Sequence, residues 1–177
     1  MNEVLRFWFE EIEPQQWWAV DPAFDDRVRA QFDDQLRQAS AGELWTWRVS
    51  ARGRLAEVIV LDQFSRNIHR GTASAFAQDP QALVLAQEAV ADGALQALNE
   101  TERTFLLMPY MHSESRRVHV EAEALFRQFA PSQNHEFELR HKAIIDRFGR
   151  YPHRNAILGR QSSAEELEFL QQPGSSF

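Results

Sequence analysis

Apolar residues recur along this chain at intervals of three and four, the repeat of an α-helix, and no segment shows the alternation of a half-buried strand. The clearest ladder is Phe24, Val28, Phe32 and Leu36. Asp21-Pro22 precedes it and Gly42 follows it. An Asp side chain can accept from the free amides of a first turn, Pro has no amide to waste there, and Gly tolerates the left-handed turn beyond the last one. Upstream, Val4, Leu5, Phe7, Trp8 and Phe9 predict a short buried helix stopped by Pro14. Downstream, the spacing predicts a helix over 54–68, closed by Gly71, and another from Asp79-Pro80 through Leu83, Ala86, Val90 and Leu95. A further stretch from Thr101 through Phe105 and Met108 is kinked or broken at Pro109. Ser113 caps the next helix, with Val118, Ala122, Leu125 and Phe129 on one face and Pro131 as its stop. Asn134 starts another, carrying Phe137, Ile144 and Phe148 up to Gly149, and Ser163 with Glu166 forms a capping box for a last short helix.

Short connections between helices favour antiparallel neighbours, so the pattern predicts an all-α fold of stacked antiparallel helical hairpins. One helical domain is expected over 1–172, with a loose tail over 173–177. No exact repeat is present, and the tetratricopeptide consensus of Trp, Leu-Gly and Tyr is missing.

Composition sharpens this reading. Apolar residues make up 44% of 177 residues, with 13 Phe and 5 Trp, enough to offset the entropy of ordering. Trp17, Trp18, Trp45 and Trp47 are expected to cover the core rather than form a partner surface. With no Cys, disulfides, thiolate chemistry and Cys-based zinc sites are excluded. Met1-Asn2-Glu3 does not begin a signal peptide, and the apolar run over 58–61 is too short to cross a bilayer, so a cytoplasmic protein without membrane partners is expected. A net charge of −7 argues against nucleic acid as a partner.

Three clusters carry candidate chemistry. On the 54–68 helix, Leu55, Ile59, Asp62 and Arg66 fall on one line at the helical period, and His69 and Arg70 continue it if the last turn holds. The first half of this helix is apolar all round and therefore central. Charges on a side that began as core must either pair internally or line a cavity. His112-Ser113-Glu114 is the second cluster: His112 is either a packing residue or an acid/base, because imidazole titrates near neutrality. The third holds Arg147, Arg150, His153, Arg154, Asn155 and Arg160, a local reversal of charge. Arg suits carboxylate or phosphate through its planar donors, and equally suits a scaffold of salt bridges. The zinc-protease, nucleophile-elbow, Walker and dinucleotide patterns are absent, so neither metal nor cofactor is expected.

The same clusters carry a family resemblance. Leu61-Asp62-Gln63-Phe64-Ser65-Arg66-Asn67-Ile68-His69-Arg70-Gly71, Met108-Pro109-Tyr110-Met111-His112-Ser113-Glu114 and Arg147-Phe148-Gly149-Arg150-Tyr151-Pro152-His153-Arg154-Asn155 resemble the signatures of the bacterial family catalogued as domain of unknown function 924. Leu158-Gly159-Arg160 and the early Phe7-Trp8-Phe9 fit the same pattern. The resemblance implies a right-handed, tetratricopeptide-like helical superhelix and no particular activity.

Three functions compete. A binding domain would hold a small anionic ligand or peptide with Asp62, Arg66, His69, Arg70, His112, Arg150, His153, Arg154 and Asn155. An enzyme acting on a small polar or anionic metabolite would use His112 as acid/base, oriented by Glu114 or Asp62, with Arg66 and Arg154 on the anion. A structural protein would use the same clusters only to fasten helices together.

Overall fold

Met1 precedes α1, Asn2–Arg6, which runs without a break into a π-helical turn, Phe7–Glu11, in the computed structural model, which describes residues 1–176. After a 3₁₀ turn at Pro14–Trp17, Asp21 accepts from the amides of Ala23 and Phe24 and opens α2, Pro22–Ser40. The Phe24, Val28, Phe32, Leu36 ladder is buried along its whole length, as the four-residue spacing requires. Rings from three elements meet here: the Phe32 and Phe64 centroids lie 4.6 Å apart, and those of Phe7 and Phe32 4.9 Å.

The central helix α3 comprises Ala51–Ile59, a π-helical turn at Val60–Phe64 and a final turn at Ser65–Ile68. Every residue from 55 to 65 is buried, which accounts for the all-round apolar composition of its first half. Its start is crowded: the Trp47 carbonyl of the preceding 3₁₀ turn lies against the Gly53 α-carbon, where no side chain fits.

The remaining helices are α4 (Asp79–Ala91), α5 (Ala94–Ala97), α6 (Glu100–Met111), α7 (Arg116–Phe129), α8 (Ser132–Phe148) and α9 (Ala164–Phe169). Against α3 pack α4 and α6, while α6 leads into the pair α7 and α8. The capping box of Ser163 and Glu166 forms as predicted. Among the described residues there is no strand, and no helix is long and apolar enough to cross a membrane.

Four expectations change. Pro109 does not break α6: it sits in the last turn, where its missing amide forfeits only one bond. The cap of α7 is Ser115, not Ser113, and α8 starts at Ser132, ahead of Asn134. Of the tryptophans, Trp17 and Trp47 pack against the core, but Trp18 and Trp45 are exposed. In the tail, Ser175 is buried and its hydroxyl donates to the Leu170 carbonyl, while Phe177 lies outside the described residues.

Candidate functional site

His112 ends α6, and its Nδ1 lies 2.8 Å from Oδ1 of Asp62, which is fully buried in the π-helical turn of α3. Burial alone would push the Asp62 carboxyl up. The adjoining Arg66 guanidinium and the His112 ring overcome that and hold it well below the usual carboxylate range. An ionised Asp62 accepts, so Nδ1 of His112 carries the proton and Nε2 is the nitrogen left for other contacts. Burial lowers the His112 pKa, Arg66 lowers it further, and Asp62 opposes both. The neutral ring is therefore the resting form.

Arg66 is consumed by internal partners. Its Nη1 lies 3.1 Å from Asp62 Oδ1, and its two terminal nitrogens donate to the two oxygens of Asp79 at 2.9 and 3.0 Å. Arg154 reaches the same carboxylate less well, with Nη1 3.3 Å from Asp79 Oδ2. Its guanidinium instead packs on rings, 4.7 Å from the Phe76 centroid and 4.6 Å from that of Tyr151. Arg154 is buried, and its Nε has no hydrogen-bond partner. Burial and the neighbouring Arg66 both lower its pKa.

These groups border a pocket of about 370 Å³. His112, Ser113, Glu114, Asp79 and Arg154 form its polar side, and Phe76, Pro80, Leu83, Pro109 and Leu158 are prominent on the apolar side. Asp62 and Arg66 are not in the lining: they stand behind it and set the positions of His112 and Asp79. Glu114 lines the pocket but is occupied, its two oxygens taken by Arg160 at 2.6 and 2.9 Å and one of them also by the Tyr151 amide. These bonds lower its pKa against the opposing effect of burial. Glu114 therefore does not orient His112, and Asp62 does.

The family described as bacterial protein of unknown function, DUF924, matches residues 4–174. This chain belongs to that family. A solved structure, the protein of unknown function ATU0120 from Agrobacterium tumefaciens, is 36% identical, with 96% of each chain covered and a TM-score of 0.90. No curated protein matches.

Several of the family-signature residues expected at the site fall elsewhere. The helix ends at Ile68, so the line through Asp62 and Arg66 does not continue, and Arg70 turns to form two hydrogen bonds with buried Asp25 on α2. His69 ends the same helix and its carbonyl accepts from Thr72. Arg150 makes a forked pair with Glu166 at 2.6 and 2.8 Å. Asn155 is buried between Arg160 and Ser162. His153 lies 5.5 Å from the Tyr151 ring, and burial lowers its pKa to about 4. None of these five lines the pocket.

Two site residues escaped the sequence reading. Asp79 looked like a helix-start signal, yet the N-cap of α4 is Gln78 and the Asp79 carboxylate holds two arginines. Phe76 lies in a 3₁₀ turn, Ala73–Phe76, with no periodicity to betray its role beneath Arg154.

Proposed function

We propose that this chain binds a small anionic molecule in the pocket beside His112 and Arg154. The observation that carries this is the state of Arg154. It is a buried guanidinium with one long bond to Asp79 and an unbonded Nε, on the wall of a pocket. Structural arginines nearby, Arg150 and Arg160, each hold a carboxylate through two short hydrogen bonds. An anion would supply the acceptors that Arg154 lacks. At about 370 Å³ the pocket is at the small end of ligand sites, which favours a small molecule over a peptide.

Thermal unfolding in the presence of small carboxylates and phosphates tests this. A ligand at one hundred times its Kd stabilises by about 2.7 kcal/mol, or roughly 5–10 °C in a domain of this size. The shift should vanish in Arg154→Lys, which keeps the charge and loses the planar fork. Shifts that persist in that variant would count against the pocket.

A second reading, an enzyme with His112 as acid/base, draws on the Asp62 contact. A carboxylate fixing Nδ1 and leaving Nε2 for the pocket is the arrangement that general bases use. Turnover of a metabolite, followed by NMR, should then drop by about 10²–10⁴ in His112→Gln. We further read the hairpins as tetratricopeptide-like in their stacking and the chain as cytoplasmic. The packing of α6, α7 and α8 in sequence and the lack of Cys support these readings.

A further inference from the structure

We infer that the ligand is a monocarboxylate with a compact apolar body, and that it binds together with one proton at His112. This rests on the anion-binding reading and narrows it by charge, by hydrogen-bond polarity and by the walls.

The charges around the pocket already balance. Arg66 and Arg154 face Asp62 and Asp79, and Arg160 faces Glu114, three cations against three carboxylates. With His112 neutral, an entering monoanion brings one uncompensated charge. One proton cancels it. A phosphate monoester brings about −1.5 to −2 and would leave charge unbalanced among buried groups.

Hydrogen-bond polarity leads to the same place independently. Asp62 accepts at Nδ1, so neutral His112 presents a lone pair at Nε2. A carboxylate is also an acceptor only, and two acceptors facing each other repel. A proton between them turns the repulsion into a charge-assisted bond. The complex then holds one proton more than the separated parts, whether that proton resides on the ring or on the acid. Asp62 and Arg66 of α3 and Asp79 of α4 act on this ring, Arg154 after α8 and Glu114 after α6 share the pocket lining with it, and His141 and His153 are electrostatically linked to it. Of these, Arg154 is the cation in the pocket lining, and its guanidinium makes one long bond, 3.3 Å to Asp79, with a buried Nε left unbonded.

The walls set the rest of the molecule. Phe76, Pro80, Leu83, Pro109 and Leu158 offer apolar surface and no donors from their side chains. A hydroxyl-rich body would leave polar groups unmatched there, while a short aliphatic or aromatic body would not.

Isothermal titration with phenylacetate, butyrate, acetate, phenyl phosphate and neutral phenylacetamide tests this, in two buffers of different ionisation enthalpy between pH 6 and 8. Phenylacetate and butyrate should bind more tightly than acetate, phenylacetamide should not bind, and uptake should approach one proton per site. The Kd should weaken with rising pH by up to about tenfold per unit. His112→Gln should remove both the uptake and the pH dependence. If that variant does not fold, the proton count of the wild type decides alone. Phenyl phosphate binding as tightly as phenylacetate, or carboxylate binding without proton uptake, overturns this inference. If such binding is still lost in Arg154→Lys, the anion-binding reading survives. Binding of neither class ends both.

Discussion

Asp62 and His112 stand fifty positions apart in the chain, yet Oδ1 of one and Nδ1 of the other meet at 2.8 Å. The contact ties the middle of α3 to the end of α6 and gives the imidazole a single orientation. It also makes Asp62 answerable for two partners at once, because Arg66 approaches the same oxygen at 3.1 Å.

Asp62→Asn should therefore be costly. The amide keeps the shape but leaves Arg66 with one carboxylate fewer in a buried place. Breaking a buried charged pair costs about 3 kcal/mol or more. Urea unfolding at pH 7 should show the midpoint fall with an unchanged slope. An unfolding free energy within a few tenths of a kcal/mol of wild type would mean that Asp62 is not charged.

Acid should destabilise the fold well before the carboxylates titrate. Burial pushes His141 down to about 3, and its Nδ1 donates to the Phe137 carbonyl. Above the unfolded value of about 6.5 both states are neutral and nothing changes. Below it the unfolded chain takes up a proton that the folded one refuses, so stability declines by about 1.4 kcal/mol per pH unit down to roughly pH 3. Glu138 works in the opposite direction, because burial raises its pKa and the folded state holds its proton longer. Unfolding midpoints from pH 7 to pH 4 should fall, with buried His153 adding to the slope, and His141→Gln should make it shallower. A flat wild-type profile would contradict the buried neutral histidine.

Arg70→Ala and Arg154→Lys should separate stability from binding. Arg70 holds buried Asp25 with two hydrogen bonds and is not itself in the pocket lining. Its loss should cost about 2 kcal/mol by leaving a carboxylate underbonded, while any ligand shift stays intact. Should Arg70→Ala abolish ligand binding without unfolding the chain, the assignment of Arg70 to the scaffold would fail.

Gly53→Ala should be among the most damaging single-methyl additions in the protein. Its β-carbon would stand 1.8 Å from the Trp47 carbonyl oxygen, a backbone atom that cannot swing aside. Overpacking of this kind costs about 3 kcal/mol or more. Thermal unfolding of the variant would check it, and a near-native Tm would mean that the 3₁₀ turn Trp45–Val49 yields readily.

The helices were legible because their ends are written in side-chain chemistry. Asp21, Ser163 and Glu166 cap where sequence reasoning placed them. The Asp62–Arg66 pair was legible too, since four residues separate them on a helix whose other faces are apolar. Arg70 was misplaced by carrying helical phase past Ile68, where the chain had already turned toward α2. Asp79 was hidden by its own plausibility as a cap. The π-helical turn left no trace at all, because residues buried on every side show no period to be disturbed.

That turn makes the pocket's tolerance of a length change depend on where along α3 the change falls. A π-helical turn is equivalent to one residue inserted into an α-helix. Deleting a single residue within Val60–Phe64 would let the turn relax to α geometry with everything beyond still in phase, whereas the same deletion in the regular turns of Ala51–Ile59 would rotate the two sides by about 100° relative to each other. The upstream deletion would turn Arg66 away from Asp79 and Asp62 away from His112, although no polar residue of the site had been substituted. Substitution scans are blind to this kind of lesion, and a one-codon deletion series through α3 would find it.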